Sequence, residues 1–218
     1  MRCQGKGEAV ISKIGMIVVA TAISAQPASA KPDDKPSKQV LRALSLTPEH
    51  FQATSTLKDD SLETVATITT LAGFQYKRGL LKIVHDDNFL RAFIDKKSGE
   101  TRFQLYQIIS YGGSWRFYST ANYETLEGPK SVDLTVVDRD VSCSRYGCSY
   151  TEHVAFDVEG SLLRTVAEKY RPNEEIVWRF KFKSKAGTEW PDGLLPAEAA
   201  GLLAAVDAYK RAQVLPLP

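Results

Sequence analysis

Histidine, cysteine and methionine are scarce in this chain, which has three histidines, three cysteines and two methionines among its 218 residues. Such a sequence offers no cluster of histidine and cysteine at the spacing that zinc sites use. It also has no P-loop, no G-x-G-x-x-G fingerprint, no H-E-x-x-H helix and no G-x-S-x-G elbow. Because these motifs are specific when present, we expect no cofactor and no metal centre, and the sequence identifies no catalytic residue.

A hydrophobic run long enough to cross a bilayer is also missing. The apolar stretch at residues 14–23 is well short of the roughly 20 residues that a membrane-spanning helix needs. Basic residues before it and an A-x-A sequence after it are typical of a secretory signal peptide, and these residues are Arg2, Lys6, Lys13, Ala28, Ser29 and Ala30. The sequence therefore predicts a cleaved leader over residues 1–30, no transmembrane segment in the mature chain, and a periplasmic or secreted location.

The predicted mature chain has no excess of charge of either sign. The full sequence has a formal net charge of +2 at pH 7, and the leader carries three basic residues and one acid, Glu8. Residues 31–218 are therefore formally neutral, with basic and acidic residues interspersed. Since a concentrated basic footprint is the usual mark of nucleic-acid binding, we expect no nucleic-acid partner.

Removing the leader also removes Cys3 and leaves two cysteines, Cys143 and Cys148. An even number of cysteines in an exported chain favours a disulfide, because the periplasm and the cell exterior are oxidising. Metal-binding and redox pairs usually have two intervening residues, whereas four separate these cysteines. The sequence therefore predicts a Cys143–Cys148 disulfide.

The mature chain has the pattern of one domain preceded by a short spacer. Residues 31–38 combine prolines with charges and lack large apolar side chains, so we predict a disordered spacer over residues 31–40. We place a single domain at residues 41–214 and a tail at residues 215–218. A chain of this length can bury about 70% of its unfolded surface around one core.

Alternating apolar and polar residues predict strands joined by short turns. The predicted strands lie at residues 64–71, 89–96, 101–111, 115–123 and 175–183, and residues 131–158 form a β-hairpin. On the two arms of that hairpin the apolar positions are Val132, Leu134, Val136, Val154, Phe156 and Val158, each arm with one face buried. Cys143 and Cys148 would join its tip.

Helical patterns follow this hairpin, one short and capped by Ser161, the other over residues 196–213. Short glycine turns between strands favour antiparallel neighbours, since parallel strands need long crossovers. We therefore predict an α+β fold: an antiparallel β-meander of about six strands, with a short helix and a C-terminal helix packed on the sheet. A β-sandwich or a small barrel is the alternative.

Two groups of residues are candidates for a site. The first is a polar group made of His85, Asp86, Asp87, His153 and Glu152. Histidines and carboxylates of this kind serve in acid–base chemistry or metal binding, although a hydrophilic turn before a strand accounts for most of them equally well. The second is a basic stripe, Arg179, Lys181 and Lys183, which would hold an anion or lie on a solvated outer face.

The first functional hypothesis is an exported, non-catalytic domain that binds a partner or ligand in the bacterial cell envelope. The absence of catalytic motifs and the predicted leader are the reasons for it. The alternatives are a carrier of a small apolar ligand and a hydrolase on an unfamiliar scaffold, with His85, Asp86 and His153 as its residues. The partner, an envelope protein or a small ligand, is not identified by the sequence.

We expect removal of the disulfide to have a modest effect on stability. The double substitution Cys143→Ser, Cys148→Ser should lower the free energy of unfolding by about 2 kcal/mol, because the loop that the bond closes is very short. Chemical denaturation followed by circular dichroism would measure this, with the sheet signal retained in the variant. Complete unfolding of the double variant would contradict the prediction.

Overall fold

The computed structural model describes residues 45–78, 81–84 and 88–216. The predicted leader, the predicted spacer and the candidates His85, Asp86 and Asp87 lie outside these residues. Within them the chain forms antiparallel sheets with three α-helices, so the predicted α+β fold is confirmed.

The helices are α1 (Pro48–Thr54), α2 (Gly160–Ala167) and α3 (Pro196–Ala212). Thr47 caps α1, since its hydroxyl oxygen accepts a hydrogen bond from the N–H of His50 at 3.2 Å, and proline occupies the first turn. A 3₁₀ turn covers Leu71–Phe74.

The strands are β1 (Thr56–Lys58), β2 (Val65–Thr69), β3 (Gln75–Arg78), β4 (Leu81–Val84), β5 (Asn88–Asp95), β6 (Thr101–Gly112), β7 (Tyr118–Thr125), β8 (Gly128–Asp133), β9 (Thr135–Ser144), β10 (Gly147–Val158), β11 (Trp178–Ser184) and β12 (Glu189–Leu194). They form a six-stranded sheet in the order β1-β2-β5-β6-β10-β9, a four-stranded sheet in the order β12-β11-β7-β8, and the β3–β4 pair. The sheets do not close into a barrel.

The two larger sheets share one hydrophobic core. Alternate residues of the six-stranded sheet point into it, among them Leu90, Leu105 and Phe156, which are buried. The four-stranded sheet contributes Trp178 and Phe182, in agreement with the alternation seen in the sequence. This period-2 burial gives β11 one dry and one wet face, whereas the central strands of the six-stranded sheet are buried on both faces over part of their length.

Helix α3 packs on this core through Ala199, Leu202 and Val206, which are buried. A carboxylate in its first turn adds a polar connection: Glu198, fully buried, accepts hydrogen bonds from the Leu90 N–H (3.0 Å) and from the Thr70 hydroxyl. The predicted docking of the C-terminal helix on the sheet is thereby confirmed.

Helices α1 and α3 are in direct contact at a glycine. A Cβ atom on Gly201 would lie 2.4 Å from the Cβ of Phe51 and 2.6 Å from the Pro48 carbonyl oxygen. Both distances are below any van der Waals contact, so the crossing requires a residue without a side chain.

The predicted hairpin at residues 131–158 is only partly correct. Its second arm is β10, and Val154, Phe156 and Val158 are buried as expected. The first arm is divided between the two sheets, because β8 pairs with β7 while β9 pairs with β10. Val136 is 43% exposed rather than buried, since β9 is the outermost strand of its sheet.

The buried position of Trp178 makes its replacement costly. Trp178 is 2% exposed, and its indole N–H donates to the Glu124 carbonyl oxygen at 2.8 Å. Trp178→Ala should lower the free energy of unfolding by about 3–5 kcal/mol, through lost burial and the cavity that remains. The half-buried Trp190 offers a control, and equal losses in Trp178→Ala and Trp190→Ala would show that burial does not decide the cost.

Candidate interaction surface

Glu152, on β10, is fully buried, and its carboxylate is held by four hydrogen-bond donors. Oε1 accepts from the Phe117 N–H (2.9 Å) and from the Tyr111 hydroxyl. Oε2 accepts from the Tyr118 N–H (3.2 Å) and from Nε of Arg139 (3.2 Å), which also forms an ion pair with it. A buried carboxylate is tolerated only with such complete pairing, so this one group joins β6, β9, β10 and the start of β7.

The Tyr111 hydroxyl extends the same network to the loop that follows β6. It accepts a hydrogen bond from the Arg116 N–H at 3.0 Å while it donates to Glu152. Burial, and then the hydrogen bond to the Glu152 carboxylate, raise the pKa of Tyr111 to about 12. The tyrosine therefore stays a neutral donor at any physiological pH, and the loop has a fixed attachment at both Arg116 and Phe117.

The loop and β10 together present a group of aromatic rings, which we call the aromatic platform: Trp115 and Phe117 from the loop and Tyr150 from β10. Trp115 contacts both other rings, with centroid distances of 6.1 Å to Phe117 and 5.0 Å to Tyr150. The Arg139 guanidinium lies over the Phe117 ring at 4.9 Å, and that of Arg116 over the Tyr111 ring at 4.3 Å. Aromatic and arginine side chains are the types most enriched where proteins bind one another.

Phe117 is the least ordinary member of the platform. Its φ is +57°, in the left-handed region that bulky residues rarely adopt. Its side chain is nevertheless 42% exposed, so core packing does not account for the conformation. The two hydrogen bonds from Phe117 and Tyr118 to Glu152 maintain it. Strain of this kind, held by surrounding structure, is characteristic of functional surfaces.

The β9–β10 hairpin continues the exposed surface beyond the platform. Every residue of β9 is exposed, and Val141, which faces Tyr150 across the strands, is 43% exposed. Cys143 and Cys148 form the predicted disulfide near the tip, with their sulfur atoms 2.02 Å apart. Tyr146 at the tip is 83% exposed. The disulfide therefore supports an arm that leaves several apolar side chains in solvent.

The free backbone edge of β9 is partly closed by its own side chains. The Asp138 carboxylate accepts a hydrogen bond from the Arg139 N–H, and that of Asp140 accepts one from the Val141 N–H, both at 2.8 Å. A register shift between His153 and Val154 also interrupts the pairing with β10. Charged side chains and bulges are the usual protection of an edge strand against pairing with another chain.

The predicted polar group does not converge among the described residues. Glu152 and His153 are consecutive on β10, so their side chains lie on opposite faces of the sheet. Nδ1 of His153 lies 2.8 Å from the Tyr106 hydroxyl, away from the Glu152 network. Burial raises the pKa of Tyr106. The other three members of the group, at residues 85–87, lie outside the described residues, so their hypothesis stays a prediction.

The predicted basic stripe lies on the outer face of β11, but most of its charge is neutralised. Arg179 forms an ion pair with Glu124, and Lys181 forms one with Glu189 at 2.8 Å. Lys183 alone of the three has no ion pair in the part of the chain that the structure describes. These ion pairs weaken the attraction of the stripe for an anion, because the carboxylates of Glu124 and Glu189 offset the positive charge of Arg179 and Lys181.

A concavity of about 440 Å³ lies on the face of the six-stranded sheet that points away from the main hydrophobic core, at the β1–β2 edge. Phe93 forms part of its lining, with the Arg102 guanidinium 4.5 Å above the ring. Arg102 is itself paired with Asp157 at 2.9 Å. The remaining lining is mainly charged, and its acids are Asp60, Glu63, Asp95 and Glu100. Such a lining does not fit the apolar ligand of a carrier.

Comparison of the chain with protein families, characterised proteins and solved structures finds no match. Among the described residues there is no group of three or more histidine, cysteine, aspartate or glutamate side chains placed to hold a metal ion. Nor do those residues contain a helix that is long and apolar enough to cross a membrane. The assignment of function therefore depends on the geometry of the aromatic platform.

Glu152→Gln should release the loop that carries Trp115 and Phe117. The substitution keeps the shape of the side chain but leaves Arg139 and two backbone donors without a carboxylate, so the free energy of unfolding should fall by about 3 kcal/mol. The matched control is Glu159→Gln, because Glu159 pairs with Lys130 at 2.6 Å on the open surface, where ion pairs contribute little. Chemical denaturation measures both, and similar losses would contradict the role given to Glu152.

Proposed function

We propose that this protein is a non-catalytic binding domain of the bacterial cell envelope, which acts by contact between its aromatic platform and a protein partner. The observation that carries the proposal is Phe117: an exposed aromatic ring on a left-handed backbone, fixed by a buried carboxylate. Pre-organised rings of this kind bind with a small loss of conformational entropy.

The surroundings of the platform support a protein partner. Trp115 and Tyr150 provide further aromatic area beside Phe117, and Val141 adds an apolar neighbour on β9. Trp, Tyr and Arg dominate the energetics of interfaces when they cluster at one place. The partly closed edge of β9 favours binding through side chains rather than through addition of a strand.

The envelope location is part of the proposal. The basic, apolar and A-x-A segments of residues 1–30 support export, and the Cys143–Cys148 disulfide is consistent with an oxidising compartment. Cell fractionation with N-terminal sequencing of the isolated protein would test it, with cleavage after Ala30 expected. A cytosolic protein that retains residues 1–30 would contradict it.

Capture of the partner from envelope extracts tests the function. Mature protein is the bait, beside Trp115→Ala and Phe117→Asn, and asparagine is chosen because it accepts the left-handed backbone that Phe117 occupies. Leu126→Ala is the control, since Leu126 is 79% exposed and lies outside the platform. A protein retained by the unmodified and Leu126→Ala baits but lost with both platform variants is expected. Capture that is the same with all four baits would overturn the proposal.

A further inference from the structure

Positive charge without a carboxylate partner borders the aromatic platform. In the part of the chain that the structure describes, Arg116, Lys185 and, at the tip of the hairpin, Arg145 form no ion pair. Lys185 is placed next to the platform by its N–H, which donates to the Phe117 carbonyl oxygen at 3.1 Å. The Glu152 carboxylate does not offset these charges, because it is buried and already paired with Arg139.

The two arginines beside the platform, Arg139 and Arg116, therefore differ in whether they can still bind a carboxylate. Arg139 neutralises Glu152 and helps to hold the loop. Among the described residues, the partners of the Arg116 side chain are neutral: the Tyr111 ring beneath its guanidinium and the Tyr118 hydroxyl, to which NH1 donates at 3.3 Å. Stacking on a ring fixes the plane of a guanidinium while it leaves donors available, and a planar fork of donors matches a carboxylate.

We infer that the platform binds an acidic peptide segment, in which an aspartate or glutamate lies beside an apolar side chain, and that Arg116 binds the carboxylate. The inference depends on the proposed function and specifies the chemistry of its partner. The apolar side chain of the segment packs on Trp115 and Phe117, and the carboxylate receives the fork of Arg116. Lys185 adds attraction at the border of the same surface.

Other occupants fit the charges less well. A second copy paired antiparallel along β9, in the register centred on Arg139, would bring Asp138 opposite Asp140 of its neighbour, and like charges directly opposite destabilise a sheet. An anionic lipid surface gains only about 1 kcal/mol per basic residue, and Arg116 is half-buried, so a flat surface reaches it less readily than a peptide does. An acidic peptide is small enough to contact Arg116 without meeting the other face of β9.

The experiment uses mature protein and short capped peptides in which glutamate alternates with leucine, tyrosine or valine, each with a glutamine counterpart. Binding is measured by titration calorimetry and by the NMR signal of the Arg116 Nε–H group. Glutamate peptides should bind about tenfold more tightly than glutamine peptides, the difference expected from one charge-assisted hydrogen bond. Arg116→Gln should remove this preference, and Arg116→Lys should restore only part of it because lysine has no fork.

Arg179→Gln is the matched control, since it removes the same charge at an exposed site away from the platform. It should leave the preference for glutamate unchanged, and thermal unfolding confirms that every variant is folded. Equal affinity for glutamate and glutamine peptides, or a preference that survives Arg116→Gln, would overturn the inference. So would binding to vesicles of anionic lipid without binding to peptides, or association of the protein with itself.

The same variants distinguish a platform whose partner is not acidic from a platform that is not an interface. If Trp115→Ala and Phe117→Asn abolish capture of the partner while Arg116→Gln does not, the platform is an interface but its partner is not acidic at this point. If none of the three changes capture, the platform itself is not the interface.

Discussion

The aromatic platform and the strand β9 beside it depend on one buried carboxylate, that of Glu152. The Glu152 carboxylate accepts hydrogen bonds from residues of three strands and of the loop between two of them. These hydrogen bonds hold Phe117 in its left-handed backbone conformation. Removing a negative charge from water is costly unless every oxygen is paired, so the network is satisfied as a whole or it is lost. The aromatic platform and the attachment of β9 are therefore parts of a single arrangement.

A second buried carboxylate, near the C-terminus, performs a related task. Glu198 lies in the first turn of α3 and bonds to the backbone N–H of Leu90 and to Thr70. The N-terminal end of a helix favours negative charge, which lowers the cost of burying this side chain. Hydrophobic contacts hold α3 on the sheet, whereas the carboxylate determines where along the sheet the helix begins.

Much of the fold was predictable because burial in strands has a simple period. The strand from Trp178 to Ser184 and the helix from Pro196 both follow from local patterns. The division of strands between two sheets could not be predicted in this way. Val132 and Val136 have the same alternating spacing whether or not they belong to one sheet. Pairing between distant segments leaves no local signal.

The candidate surface was harder to predict than the fold. Glu152 occupies an inward position between Tyr150 and Val154, and a charge at such a position is a detectable anomaly; we instead grouped it with His153 as its sequence neighbour. Alternation places consecutive residues on opposite faces, which separates that pair. The role of Phe117 depends on its backbone angle, and no sequence pattern around it requires a left-handed residue.

The contact between α1 and α3 has a consequence for the recognition of distant relatives. Glycine within a helix is disfavoured by about 1 kcal/mol relative to alanine, so drift should replace it wherever space allows. At Gly201 no space exists, and Glu198 lies one turn earlier with its bonds to the sheet. The E-x-x-G sequence formed by Glu198 and Gly201 should therefore be retained in distant relatives after the rest of their sequence has diverged. A search for this sequence in a C-terminal helix would help to find them.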